Sequence, residues 1–196
     1  MPASNPKSAI GCLNWLSNFE SSVCFLYQSV AAKFDAPLIS GLLQGIAQDS
    51  LKHTKLLKSI TDSSAYAQEK AKEECSSKLA SAWSAADSGF KEEIESETLF
   101  GPAQLDLVEK LAELESALDE EYSVFLEEEA LALLAKEVSG YYTVRPNDIK
   151  NIFLGIINDE KHHKKTIATI IELLSQDKSK SSGNAPFVKY QNPGSW

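Results

Sequence analysis

Apolar residues recur along this chain at steps of three and four and nowhere alternate over a useful length, so the pattern predicts helices and no sheet. Leu13, Leu16, Glu20, Val23, Tyr27 and Val30 form the inner stripe of a first helix spanning about Lys7 to Lys33. Phe34-Asp35-Ala36-Pro37 turns the chain, and Pro37, suited to the first helical position, opens a second helix. Its stripe is Leu42/Leu43, Ile46, Asp49/Ser50, His53, Leu57 and Ile60, ending at Thr61-Asp62-Ser63-Ser64. Residues 65–98 are helix-prone but weakly patterned around Leu79, Trp83, Phe90 and Ile94, which predicts a helical crossover. Pro102 opens a third helix, expected to run unbroken to Ser139-Gly140 with Leu107, Leu111, Leu114, Leu118, Glu121, Phe125, Glu128, Ala132 and Ala135 on its stripe. A fourth follows Tyr141–Asn147 and carries Ile149, Ile152, Phe153, Ile156, Glu160, His163, Ile167 and Ile170/Ile171. Helical structure is thus expected over 7–176, with a flexible tail at 177–196 rich in Ser, Lys, Asn, Gly and Pro.

The second and fourth helices read as copies of one another. Gly45-Ile46-Ala47-Gln48-Asp49-Ser50-Leu51-Lys52-His53 superposes on Gly155-Ile156-Ile157-Asn158-Asp159-Glu160-Lys161-His162-His163 at an offset of 110, and Lys55/Lys165 and Ile60/Ile170 continue the match. Upstream, Glu20–Leu26 lies over Glu128–Leu134, and Val30 over Val138, if the second inter-helix loop is two residues longer. The chain therefore reads as a duplicated helix hairpin, and two such hairpins make an all-α four-helix bundle joined by a long crossover.

Ionisable residues interrupt the apolar stripes at matching levels. Burying a charge costs several kcal/mol unless something compensates it, and a divalent metal does so directly. Glu20, His53, Glu128, Glu160 and His163 occupy such positions, and Glu160-x-x-His163 projects a carboxylate and an imidazole from one helix face. Mixed carboxylate and imidazole donors suit iron or manganese, with zinc as a further candidate. Repeat alignment selects Glu128 from the acids of helix three, with Glu121 and Glu127 as alternates, while His162, flanked by lysines, belongs on the solvated face. Asp49 and Asp159 recur together and read either as outer hydrogen-bond partners of the ligands or as structural residues.

Composition narrows the function classes. The 196 residues include only 9 Gly and 7 Pro, as a helical domain requires. A net charge of -9 repels nucleic acid and anionic lipid, and no apolar run approaches a membrane span. Cys12, Cys24 and Cys75 lack the spacing of a disulfide framework or zinc ribbon, and Cys24 suits a small buried position. Without a signal-peptide pattern at Met1–Lys7, a reduced cytoplasmic setting is expected.

These motifs resemble the ferritin-like superfamily, especially its rubrerythrin-like branch, with Glu on helices one and three and Glu-x-x-His on helices two and four. The resemblance covers about residues 10–60 and 115–172 and implies a pair of irons, one served by Glu20 and His53, the other by Glu128, Glu160 and His163. It also implies a catalytic role for Tyr27, hydrogen-bonding a ligand or supplying an electron, since it lies seven residues after Glu20 as in many such proteins. The chain departs from the family at Ser50, where a bridging Glu is usual, and at Leu131, where a further Glu is common. It also lacks the Cys-x-x-Cys pairs of a rubredoxin domain. The expectation is a non-haem iron oxidoreductase acting on Fe(II) with oxygen or peroxide, with one iron position weaker because of Ser50 and a homodimer as a compatible assembly. The competing expectations are a metal-binding protein with one competent site and no turnover, and a scaffold for protein association.

Overall fold

The structure, a computed structural model, describes residues 9–62, 81, 83–84, 87, 102–124, 126, 131–132, 134–136 and 145–181. Among these, the regular structure is entirely helical. The long helices are α1 (Ala9–Ala31), α2 (Pro37–Asp62), α3 (Pro102–Val124) and α4 (Pro146–Ser181). Among the described residues no helix is long and apolar enough to cross a membrane.

Local chemistry sets the helix ends. Val30 and Ala31 carbonyls accept from the Lys33 and Phe34 amides at 2.9 and 3.3 Å, a tight closing turn, and Phe34 buries its ring beneath it. Pro37 and Pro146 each begin a helix where a missing N–H costs nothing. At α4 the Asp148 carboxylate reaches back to the Arg145 amide at 3.1 Å, and the Asp148 amide donates to the Arg145 carbonyl at 2.9 Å.

α1 packs along α2 and α3 along α4, and the two pairs meet where α2 runs beside α4. One apolar core joins Leu13, Leu16, Val23 and Val30 of α1 to Leu43, Ile46 and Leu57 of α2. The same core takes in Leu107, Leu111, Leu114 and Leu118 of α3 and Phe153, Ile156, Ile167 and Ile170 of α4. The duplication is visible in burial, since residues 41–50 and 151–160 match position for position in buried, half-buried and exposed character. The same side of each helix faces the centre.

The third helix is shorter than its apolar pattern predicts. α3 ends at Val124, a turn follows in which the Leu126 amide donates to the Ser123 carbonyl at 3.1 Å, and helix returns at 131–132 and 134–136. Ser123 bonds its hydroxyl back to the Asp119 carbonyl at 2.8 Å, a contact that competes with the helical ladder, and the β-branched Val124 follows. α4, in contrast, continues to Ser181, past the expected start of the tail, because the first Gly after it is Gly183. Most of the expected crossover, and the tail beyond 181, lie outside the described residues. Trp83 of the crossover does lie against α1, edge-on to Phe19 with ring centres 5.1 Å apart. Cys12 is disulfide-bonded, against the expectation of reduced thiols, while Cys24 is a buried free thiol.

Candidate metal centre

Five ionisable side chains converge in the core between the helix pairs: Glu20 from α1, His53 from α2, Glu115 from α3, and Glu160 and His163 from α4. None is more than 1% exposed. They fall into two groups, Glu20 with His53 and Glu160, and Glu115 with Glu160 and His163, each offering ligand atoms within 4.8 Å of one another. Glu160 belongs to both. The two imidazole rings are 6.1 Å apart, so the groups are adjacent parts of one centre.

Four of the five expected ligands, Glu20, His53, Glu160 and His163, meet here as the sequence predicts. The α3 carboxylate that joins them is Glu115, which the sequence reading passed over. Glu127 and Glu128 lie outside the described residues, and Glu121 is half-buried and belongs to neither group. A clear signal marked Glu115. Shifting Glu20-Ser21-Ser22-Val23-Cys24-Phe25-Leu26-Tyr27 by 95 positions gives Glu115-Ser116-Ala117-Leu118-Asp119-Glu120-Glu121-Tyr122, repeating Glu-Ser and the Tyr seven residues on.

Both tyrosines act at the centre, each on the opposite pair. Tyr27 donates its hydroxyl to Glu115 Oε1 at 2.5 Å, and Tyr122 donates to Glu20 Oε1 at 2.5 Å. Burial, then the neighbouring Glu115 charge, keeps Tyr27 protonated far beyond the ordinary phenol range, and burial with Glu20 does the same for Tyr122.

The histidines present Nδ1 to the centre. His53 Nδ1 lies 3.3 Å from Glu20 Oε1, and His163 Nδ1 3.1 Å from Glu115 Oε2. Their outer nitrogens are held crosswise, His53 Nε2 by Asp159 Oδ2 at 3.1 Å and His163 Nε2 by Asp49 Oδ2 at 3.3 Å. This is the outer-partner role that the recurring aspartates suggested. It fixes ring orientation, as for most metal-binding histidines.

Glu160 has nothing comparable. Its oxygens lie 3.1 Å from His53 Nδ1 and 3.5 Å from His163 Nδ1, yet neither completes a well-formed hydrogen bond, and Glu20 Oε2 is likewise unpartnered and buried. Unpaired buried carboxylate oxygens are costly, and those of Glu160 lie between the two histidines. Burial first, then the Glu115 charge, pushes Glu160 up to about 8. Burial disfavours imidazolium, but the close Glu160 and Glu20 carboxylates push His53 up to about 10, and those of Glu115 and Glu160 push His163 up to about 11. Burial also disfavours charge on Glu115, yet its bond with His163 holds it below the usual carboxylate range. Protons thus stand where cations would fit. The donor set, two imidazoles and three carboxylates with unpartnered oxygens, can hold metal ions.

The two groups carry equal complements, one imidazole, one private carboxylate and the shared Glu160. Ser50 is buried at the position equivalent to Glu160, and Glu160 is the carboxylate common to both groups. Outside the ligands the symmetry breaks, since Asp119 and Lys164 pair beside Glu115 and His163 where the other half has Cys24 and Thr54. Comparison of the chain with protein-family models, curated proteins and solved structures gives no match.

Proposed function

We propose that this chain is a ferritin-like four-helix bundle holding two divalent metal ions, iron foremost, and that it is an oxidoreductase acting on Fe(II) with oxygen or peroxide. The observation that carries the reading is Glu160, a buried carboxylate shared by two Glu/His groups whose oxygens have no hydrogen-bonding partner. A carboxylate so placed is destabilising unless protonated or bridged by cations. Manganese suits the same donors, and zinc fits them less specifically.

In this reading Glu20 and His53 hold one ion, Glu115 and His163 the other, and Glu160 spans both. Ferrous ions at such a centre supply the electrons that reduce oxygen or peroxide. The protein's part begins with proton release, because His53, His163 and Glu160 surrender protons when metal enters. Tyr27 and Tyr122 keep Glu115 and Glu20 turned toward the centre, and the surrounding apolar core excludes water. Tyr27 is accordingly proposed as a positioning group through its bond to Glu115.

A second reading, metal binding without turnover, is favoured by one residue. Ser50, buried at the repeat equivalent of Glu160, offers no second carboxylate to be shared by the two ions. Stopped-flow oxidation of Fe(II) separates the readings, using wild type, Glu160→Ala and the exposed control Glu172→Ala. Catalysed oxidation in wild type and control, lost in Glu160→Ala, supports the oxidoreductase. Rates in all three equal to iron in buffer would eliminate it. Iron retained by wild type under those conditions would leave the binding reading standing.

A further inference from the structure

Above the centre, where α2 meets α4, one lysine touches both aspartates. Lys52 Nζ lies 2.8 Å from Asp49 Oδ1 and 2.7 Å from Asp159 Oδ2. Asp49 turns its other oxygen to His163, and Asp159 offers the same Oδ2 to His53. Lys52 is thus one carboxylate removed from the outer nitrogen of each histidine, through a shared oxygen of Asp159 at His53 and across both oxygens of Asp49 at His163. The offset of 110 places His162 opposite Lys52, and His162 is exposed. Among the described residues Lys52 is the cation on both aspartates, and the two halves share it.

We infer that Lys52 is a positioning residue common to both metal positions, pinning Asp49 against His163 and Asp159 against His53. The inference rests on the two-metal reading above. Two aspartates at the α2–α4 seam repel each other, and without a cation between them each is free to swing toward solvent, since their side chains are 36% and 29% exposed. Both imidazoles then lose the bond that fixes their rotation, although Lys52 belongs to only one helix and touches neither ring. The wiring is also crossed. Asp49 on α2 orients the histidine of α4, and Asp159 on α4 orients that of α2, so each helix pair sets the ligand geometry of the other.

The test compares Lys52→Met, which keeps most of the aliphatic stem, with Lys52→Arg, Asp49→Asn and Asp159→Asn. Lys52 is 47% exposed, so its replacement leaves the core intact, and helical circular dichroism verifies the fold. The first readout needs no metal: solvent exchange of the His53 and His163 Nε2 protons by NMR, assigned with a His53→Gln variant. Exchange should quicken at both rings in Lys52→Met and return toward wild type in Lys52→Arg. It should quicken at His163 alone in Asp49→Asn and at His53 alone in Asp159→Asn. The second readout is Co(II) affinity by competition with a chelator, expected to fall about 10- to 100-fold at both positions in Lys52→Met. Unchanged exchange at either ring in Lys52→Met would overturn the shared role, as would a loss of affinity confined to one position. Failure of the wild type to take up Co(II) would instead count against the metal reading, and the exchange measurement would still decide the role of Lys52.

Discussion

Glu160 sits where two imidazoles and two carboxylates leave it no hydrogen-bonding partner, and its protonation governs the metal-free protein. Its folded value of about 8 lies above the ordinary 4.5, and those of His53 and His163, about 10 and about 11, lie above 6.5. The folded state therefore binds these protons more tightly than the unfolded chain. Their stabilisation is complete below the unfolded values and is lost as pH rises, through 4.5 to 8 for Glu160 and from 6.5 upward for the histidines. Asp49, Asp159 and Glu115 are shifted down, so their contribution is lost only as pH falls below the carboxylate range. Chelator-treated protein should accordingly be most stable near about pH 5 and lose stability steadily toward pH 9. Urea unfolding at a series of pH values measures this, and a flat or rising profile over that interval would contradict it. Glu160→Gln, similar in size and unable to ionise, should flatten the decline between pH 5 and 8.

At the level of whole helices, α1 and α3 are tied by reciprocal bonds, Tyr27 to Glu115 and Tyr122 to Glu20. Removing either hydroxyl leaves a buried carboxylate short of a donor. Tyr27→Phe and Tyr122→Phe should each lower the stability of the metal-free protein by about 1–3 kcal/mol. Chemical denaturation tests this, and two variants indistinguishable from wild type would show that the ties carry no energy. This pair also shows what the sequence made legible. The α2/α4 duplication is readable because its apolar period, Asp and His all recur at one offset, and it points to three of the converging side chains, His53, Glu160 and His163. The α1/α3 correspondence is hidden from any alignment that gives the two hairpins nearly equal loops. The second is fifteen residues longer after Tyr122, so the matching offset is 95 rather than 108. The break beyond Val124 was hidden for a related reason. Glu121, Phe125 and Glu128 continue a helical period on paper, while the bond from Ser123 to the Asp119 carbonyl, which competes with the ladder there, leaves no mark in an apolar pattern.

For the molecule as a whole, the proposed two-metal centre would set fold stability against metal occupancy, and Ser50 is the position that weighs one against the other. It is buried beside His53 at the repeat equivalent of Glu160, and the metal-free core already accommodates three carboxylates there by holding protons. Ser50→Glu would add a fourth. Without metal, that group must be buried unpaired or protonated, and the variant should lose about 3–5 kcal/mol, the scale for an uncompensated buried charge. With metal, the same carboxylate gives the ions a second bridge, so affinity should rise, and ligand binding stabilises a fold by about 2.7 kcal/mol at a hundredfold excess over Kd. The two effects have opposite signs in one variant. Thermal unfolding with chelator and with saturating Mn(II) should show Ser50→Glu melting below wild type in the first condition and recovering a larger share of its stability in the second. Metal-dependent gains equal in the two proteins would mean that residue 50 does not reach the ions, and that Glu160 alone spans the centre.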